Sequence, residues 1–166
     1  MKRTLYMMLI TLMITSIQSK SIGQNILMKI PSITAAAGED VRTLEFQVNA
    51  ASSWTKGGGA SVGKPNPANL IIKKSNNKST SDFLKSIGQG KAIPEVIFEY
   101  YDVANKLYYS ITLTNVFLTQ LNWLTPDCPT CLKLELQVGF VFKTYKTVDV
   151  ASGTKVTWDI PAGTLQ

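Results

Sequence analysis

The 166-residue chain contains no histidine, and that absence removes several chemistries at once. Serine–histidine and cysteine–histidine catalysis, HExxH zinc sites and imidazole proton switches have no residue to run on. Cysteine is nearly missing too, since Cys128 and Cys131 are the only two. A structural zinc centre would need two further thiolate or imidazole ligands, which one chain does not supply. Charged residues make up only 17% of the sequence, low for a surface exposed on every side, so partners are expected to cover part of it. What is plentiful is apolar. Hydrophobic residues account for 45% and aromatics for 9%, enough for a packed core and too much for a disordered chain. The length suits one domain with a short appendage.

The appendage is at the front. Met1-Lys2-Arg3 is a short basic start, followed by an apolar run over residues 4–17 and small residues at Ser19, Ser21 and Gly23. A run of that length matches a secretory h-region and is short for a bilayer span. The expectation is a signal peptide over 1–23 and a mature domain over 24–166. The product would be secreted or periplasmic, with no stable membrane insertion after cleavage. The whole chain carries 17 basic and 11 acidic residues, a net charge of +6. Three of those basic residues and none of the acids lie in 1–23, which leaves +3. That is a weak field for nucleic acid, which is not an expected partner.

From Asn25 onward the rhythm is that of strands. Over residues 132–143 the even positions Leu132, Leu134, Leu136, Val138, Phe140 and Phe142 are all apolar. Period 2 puts one face in a core and one outside. Leu44, Phe46 and Val48 alternate with Glu45, Gln47 and Asn49 in the same way, and Tyr109, Ile111 and Leu113 with Ser110, Thr112 and Thr114. Shorter strands are expected at 25–30, 69–74, 94–103 and 154–159. One segment breaks the pattern. Residues 79–88 open with cap-type residues, space Phe83, Leu84 and Ile87 helically and stop at Gly88. Residues 50–68 hold Gly57-Gly58-Gly59, Gly63, Pro65 and Pro67 and are expected to form a long mobile loop, a kind of loop that is usually functional or disordered. The fold class is mainly all-β: a small β-barrel of two packed antiparallel sheets with one short flanking α-helix.

Few residues suggest chemistry. Cys128-Pro129-Thr130-Cys131 sits in the connection between two strands rather than at a helix N-terminus, which argues against redox catalysis. In an exported protein a local Cys128–Cys131 disulfide is expected instead. Glu95 and Glu99 share a strand face about 13 Å apart, too far for a retaining glycosidase pair. They are expected to be solvent or interface charges. Lys73, Lys74, Lys78, Lys85 and Lys91 read as the solvated face of a strand and the following helix. Trp54, Trp123 and Trp158 fit either buried positions or ligand platforms. No enzyme, cofactor or metal site is expected.

Several segments, taken in order, resemble the haemolysin-coregulated protein (Hcp) family, the tube proteins of type VI secretion systems. They are Asn25–Ile30, Leu44-Glu45-Phe46 followed by Trp54, and Gly63-Lys64-Pro65-Asn66-Pro67 before Leu70–Lys74. The helix with Ser79, Phe83 and Leu84, Gly90–Glu95, Ile111–Val116 and Trp158-Asp159 complete the set. The resemblance implies a non-enzymatic barrel that assembles into homohexameric rings and stacks them head to tail into a tube. Implied partners are the chain itself, sheath and spike proteins, and small effectors carried in the lumen. It implies a ring-stacking loop that includes Trp54, Lys56, Gly57, Gly58, Gly59, Lys64 and Asn66, and a lysine cluster that faces outward. Family members assemble in the cytoplasm without a signal peptide, so residues 1–23 depart from the pattern. The alternative is a monomeric secreted β-sandwich that binds a carbohydrate or protein ligand.

Overall fold

The computed structural model describes residues 25–50, 52–55, 59–125 and 134–166. The expected signal peptide, and Lys56, Gly57, Gly58, Cys128 and Cys131, lie outside the described residues. The strands are β1 (Asn25–Lys29), β2 (Glu39–Glu45), β3 (Val48–Asn49), β4 (Ser52–Thr55), β5 (Gly59–Val62), β6 (Asn66–Pro67) and β7 (Leu70–Ser75). The helix α1 (Thr80–Gln89) follows. Then come β8 (Ile93–Tyr101), β9 (Leu107–Leu124), β10 (Glu135–Val141), β11 (Thr144–Asp149), β12 (Lys155–Asp159) and β13 (Thr164–Leu165).

The alternation in the sequence is what closes the barrel. Nine strands form one antiparallel sheet in the order β10-β7-β2-β1-β8-β9-β11-β12-β13, and β10 also pairs with β9. That extra pairing joins six strands into a ring around a core, the small barrel the alternation implies. Leu136, Val138 and Phe140 from β10, Leu70 and Ile72 from β7, Met28 from β1 and Leu113 from β9 are all fully buried inside it. Burying side chains of this size stabilises the fold by about 1.5–3 kcal/mol each.

β9 is 18 residues long and serves two neighbours in turn. Its first part pairs with β11 from Tyr109–Asp149 to Thr114–Thr144, and its second with β10 from Phe117–Val141 to Leu124–Glu135. A crease crosses the sheet where the partners change. Buried positions are odd through Ile111 and Leu113 and become even at Val116. The partner strand β8 changes parity at the same level, between Ile93 and Val96. Asn115 carries the turn-over with a φ of 50°, left-handed backbone that asparagine tolerates better than most residues. Beyond the crease β9 closes the barrel; before it, β11, β12 and β13 extend the sheet outward.

A second irregularity falls between Gly139 and Phe140, opposite Gln120 and Leu118. A Cβ at residue 139 would lie 3.0 Å from the Gln120 Cβ and 3.1 Å from the Thr119 hydroxyl. The close approach of β9 needs glycine there.

Two local readings need correction. The helix runs past Gly88 and stops at Gly90, whose φ of 59° takes the left-handed C-cap conformation. Its Ser79 makes no side-chain cap bond, because the hydroxyl is engaged elsewhere, 2.8 Å from the Glu39 carboxylate. The expected mobile loop over 50–68 contains regular β-structure: β3 pairs with β6, and β4 with β5. Ser52–Thr55 and Gly59–Val62 are four residues each, so no long alternation marks them as a ribbon.

Candidate functional site

The segment between β2 and β7 is a two-part antiparallel ribbon, here termed the arm. Val48 opposes Pro67 and Asn49 opposes Asn66 at its root; Ser52 opposes Val62, and Thr55 opposes Gly59, farther out. The Ala68 amide donates to the Gln47 carbonyl at 2.9 Å and closes the root. Of the residues expected to stack rings, Trp54 sits in β4 opposite Ala60 and Gly59 in β5 opposite Thr55. Asn66 is exposed in β6. Lys64 precedes β6, and its stem lies over Gly163: a Cβ there would be 2.6 Å from the Lys64 Cε.

The arm is fastened by aromatics that the periodicity did not single out as a group. Phe46, immediately after β2, stacks on Tyr145 with centroids 4.8 Å apart and planes 25° from parallel. Phe142 completes the cluster at 5.6 Å from Phe46 and 5.9 Å from Tyr145. Beside it Pro67 and Ala68 from the arm, with Val141, Phe142 and Ile160, line a cleft of about 200 Å³. Tyr100 and Tyr109 continue the cluster at 5.7 Å. Burial pushes the Tyr145 and Tyr100 hydroxyls up to about 12, with the neighbouring tyrosines adding to the effect.

The lysine cluster divides. Lys74 is fully buried, contrary to the outward-facing reading, because it follows Leu70 and Ile72 on the inner face of β7. Its ammonium lies 2.9 Å from Glu39, 2.7 Å from Asn77 Oδ1 and 3.1 Å from the Ser79 hydroxyl. The Phe83 ring centroid is 5.4 Å away. This network ties β2, β7 and α1 together and satisfies the buried charge. Lys85 is bonded to Asp82 at 3.2 Å, and Lys78 and Lys91 are exposed.

Glu99 is not an isolated surface charge. Lys29 pairs with it at 2.7 Å, and the Tyr101 hydroxyl donates to it at 2.6 Å. Burial raises the Glu99 carboxyl, but these two hydrogen bonds outweigh it and hold the group below its ordinary value. Glu95 stands elsewhere on β8, opposite Thr114, and among the described residues it makes no ion pair with Lys29. Trp158 is buried opposite Tyr145, whereas Trp123 near the end of β9 is 46% exposed. Among the described residues, no three metal-capable side chains come together.

Among the described residues, the nine-stranded sheet has two open stretches of edge. β13 ends the sheet. β8 pairs with β9 only as far as Val116, so 117–124 pair on one side alone, with β10. Phe117 on that stretch is 39% exposed.

The family described as "Type VI secretion system effector, Hcp" matches residues 34–152. Hcp1 from Salmonella typhimurium is similar in structure, with a TM-score of 0.71 at 18% identity over 86% of this chain and 99% of that one. A double mutant of the Hcp1 protein from the E. coli EAEC 042 pathovar gives 0.67 at 13% identity over 84% and 99%. A protein of the anti-feeding prophage baseplate gives 0.53 at 10% identity over 78% and 95%. At these identities the structural likeness concerns the fold. No curated protein matches the chain in sequence.

Proposed function

The chain belongs to the Hcp family, the tube-forming structural proteins of the type VI secretion system; from that premise we propose that its barrels close into homohexameric rings and that the arm stacks one ring on the next. The observation that carries the reading is the arm itself. Among the described residues its strands pair only with one another, so closure of the barrel does not depend on it. A ribbon of this kind suits contact with another copy. The two edges, β13 and residues 117–124, differ in position and sequence. Contact of one with the other is head-to-tail, the geometry that generates a closed ring when the rotation allows.

The same proposal includes export through residues 1–23, a Cys128–Cys131 disulfide, and sheath, spike and small-effector partners for the homohexamer. Proteins of this family leave the cell through the type VI apparatus. A signal peptide on this chain would add a first crossing of its own. N-terminal sequencing of the exported protein tests it: a start at Gln24 is expected, and an intact Met1 would refute it. For the cysteines, alkylation without reductant should label neither residue, and labelling of both would rule the bridge out.

The arm is tested by deleting residues 55–62. Rings of unchanged mass that no longer stack in electron micrographs are expected. Stacks of wild-type length would overturn the assignment.

A further inference from the structure

We infer that the arm is aimed from its root by two intramolecular contacts: the Phe46–Tyr145–Phe142 aromatic cluster and the stem of Lys64 lying across Gly163. Phe46, Lys64 and Gly163 are therefore positioning residues for stacking, and Lys64 is committed to its own chain rather than to a neighbour. The inference rests on the arm being the stacking element.

Leverage makes the root decisive. A two-stranded ribbon is marginal alone, and a small rotation at its root moves its far end by several ångströms. Contacts at the root therefore fix direction more economically than contacts along the strands. Phe46 supplies one such contact. It leaves β2 next to the arm and stacks on Tyr145 at 4.8 Å, a rigid position because β11 is paired on both sides, with β9 and β12.

Lys64 supplies the second contact, on the returning strand. Gly163 sits in a tight turn where its amide lies 2.8 Å from the Asp159 carbonyl and 3.1 Å from that of Ile160. The Asp159 side chain accepts the Ala162 amide at 3.0 Å. With a φ of 67° at Gly163, the turn favours glycine. The absent Cβ leaves the space that Lys64 fills, since a Cβ would lie 2.6 Å from its Cε and 3.0 Å from its Nζ. The C-terminal turn, which has no part in closing the barrel, thus acts as a stop for the arm.

The test compares Phe46→Leu, Lys64→Ala and Lys64→Met in the full chain. The first readout is hydrogen exchange at the Ala68 amide, whose bond to Gln47 closes the root, with β8 and β9 amides as reference. The second is ring mass and stack length. Phe46→Leu and Lys64→Ala should each speed Ala68 exchange about tenfold while the reference amides hold. Rings should persist and stacks shorten. Lys64→Met, which keeps the stem and loses the charge, should behave as wild type. Unchanged Ala68 exchange in both disruptive variants would overturn the inference, as would equal loosening of β8 and β9. Loss of stacking in Lys64→Met would overturn it too, by making the charge the working part. Wild-type protein that neither closes rings nor stacks would refute the proposed function instead, leaving the Ala68 result to decide the positioning.

Discussion

The barrel and the arm are both antiparallel β-structure, joined in one chain, and they are stabilised in different ways. In the barrel each strand has two neighbours over at least part of its length, and its inner positions reach zero exposure from β1, β7, β8, β9 and β10 alike. The arm has one partner per strand, and its root residue Val48 is 47% exposed. A closed sheet derives its stability from burial, which is indifferent to the identity of the partner chain. A two-stranded ribbon is marginal alone and must draw order from its root or from another molecule. On the proposed reading, the difference separates what makes this chain fold from what lets it stack.

Mutations should separate the two regions most clearly at their extremes. Phe140→Ala, in the barrel core, should cost about 3–5 kcal/mol in chemical denaturation. Val48→Ala, at the arm root, should stay within about 0.5 kcal/mol. Similar losses at both sites would erase the distinction.

Lys74 tests whether a buried charge belongs to the barrel as firmly as its apolar neighbours do. Lys74→Ala should lose about 3–5 kcal/mol, because Glu39 is left buried without its cation. Lys74→Met combined with Glu39→Gln should recover most of that loss. A double variant as unstable as the single one would mean that the pair contributes net stability.

Alkaline pH probes the junction between the two regions. Tyr100 and Tyr145 have values raised from 10.0 to about 12 in the folded protein. A raised acid group contributes stability that is complete below its unfolded value and is lost as pH passes the folded one. Stability should therefore hold to about pH 10 and decline from there to about 12. Tyr145→Phe should blunt the decline in denaturation midpoints measured across that window; an identical decline would show that Tyr145 is not the group responsible. Least affected should be Arg42→Ala, whose exposed guanidinium pairs with Glu135. A change in melting free energy of about 0–1 kcal/mol is expected, and a larger one would place that pair among the barrel's structural contacts.

The same contrast governs how much was legible in the sequence. Leu136, Val138 and Phe140 announce their strand because one face is buried and the alternation follows from it. Ser52–Thr55 and Gly59–Val62 are four residues each, too short for a periodicity to declare their pairing. β9 was legible only as far as Leu113, because the left-handed backbone at Asn115 moves the buried positions from odd to even. Lys74 was misplaced for a different reason. Its parity with Leu70 and Ile72 pointed inward, but lysine is almost never fully buried unless paired, and its partner Glu39 lies 35 residues away in sequence. The aromatic root is not legible because Phe46 lies far in sequence from Phe142 and Tyr145 at the β10–β11 turn, and only the folded sheet brings the two segments together.

The most direct test is the absolute mass, by light scattering, of the wild-type protein and of the variant lacking residues 55–62. A barrel that closes rings independently of its arm predicts a hexamer in both, with larger species only in the wild type. A monomer in both, across a wide concentration range, would contradict ring formation as a property of this chain.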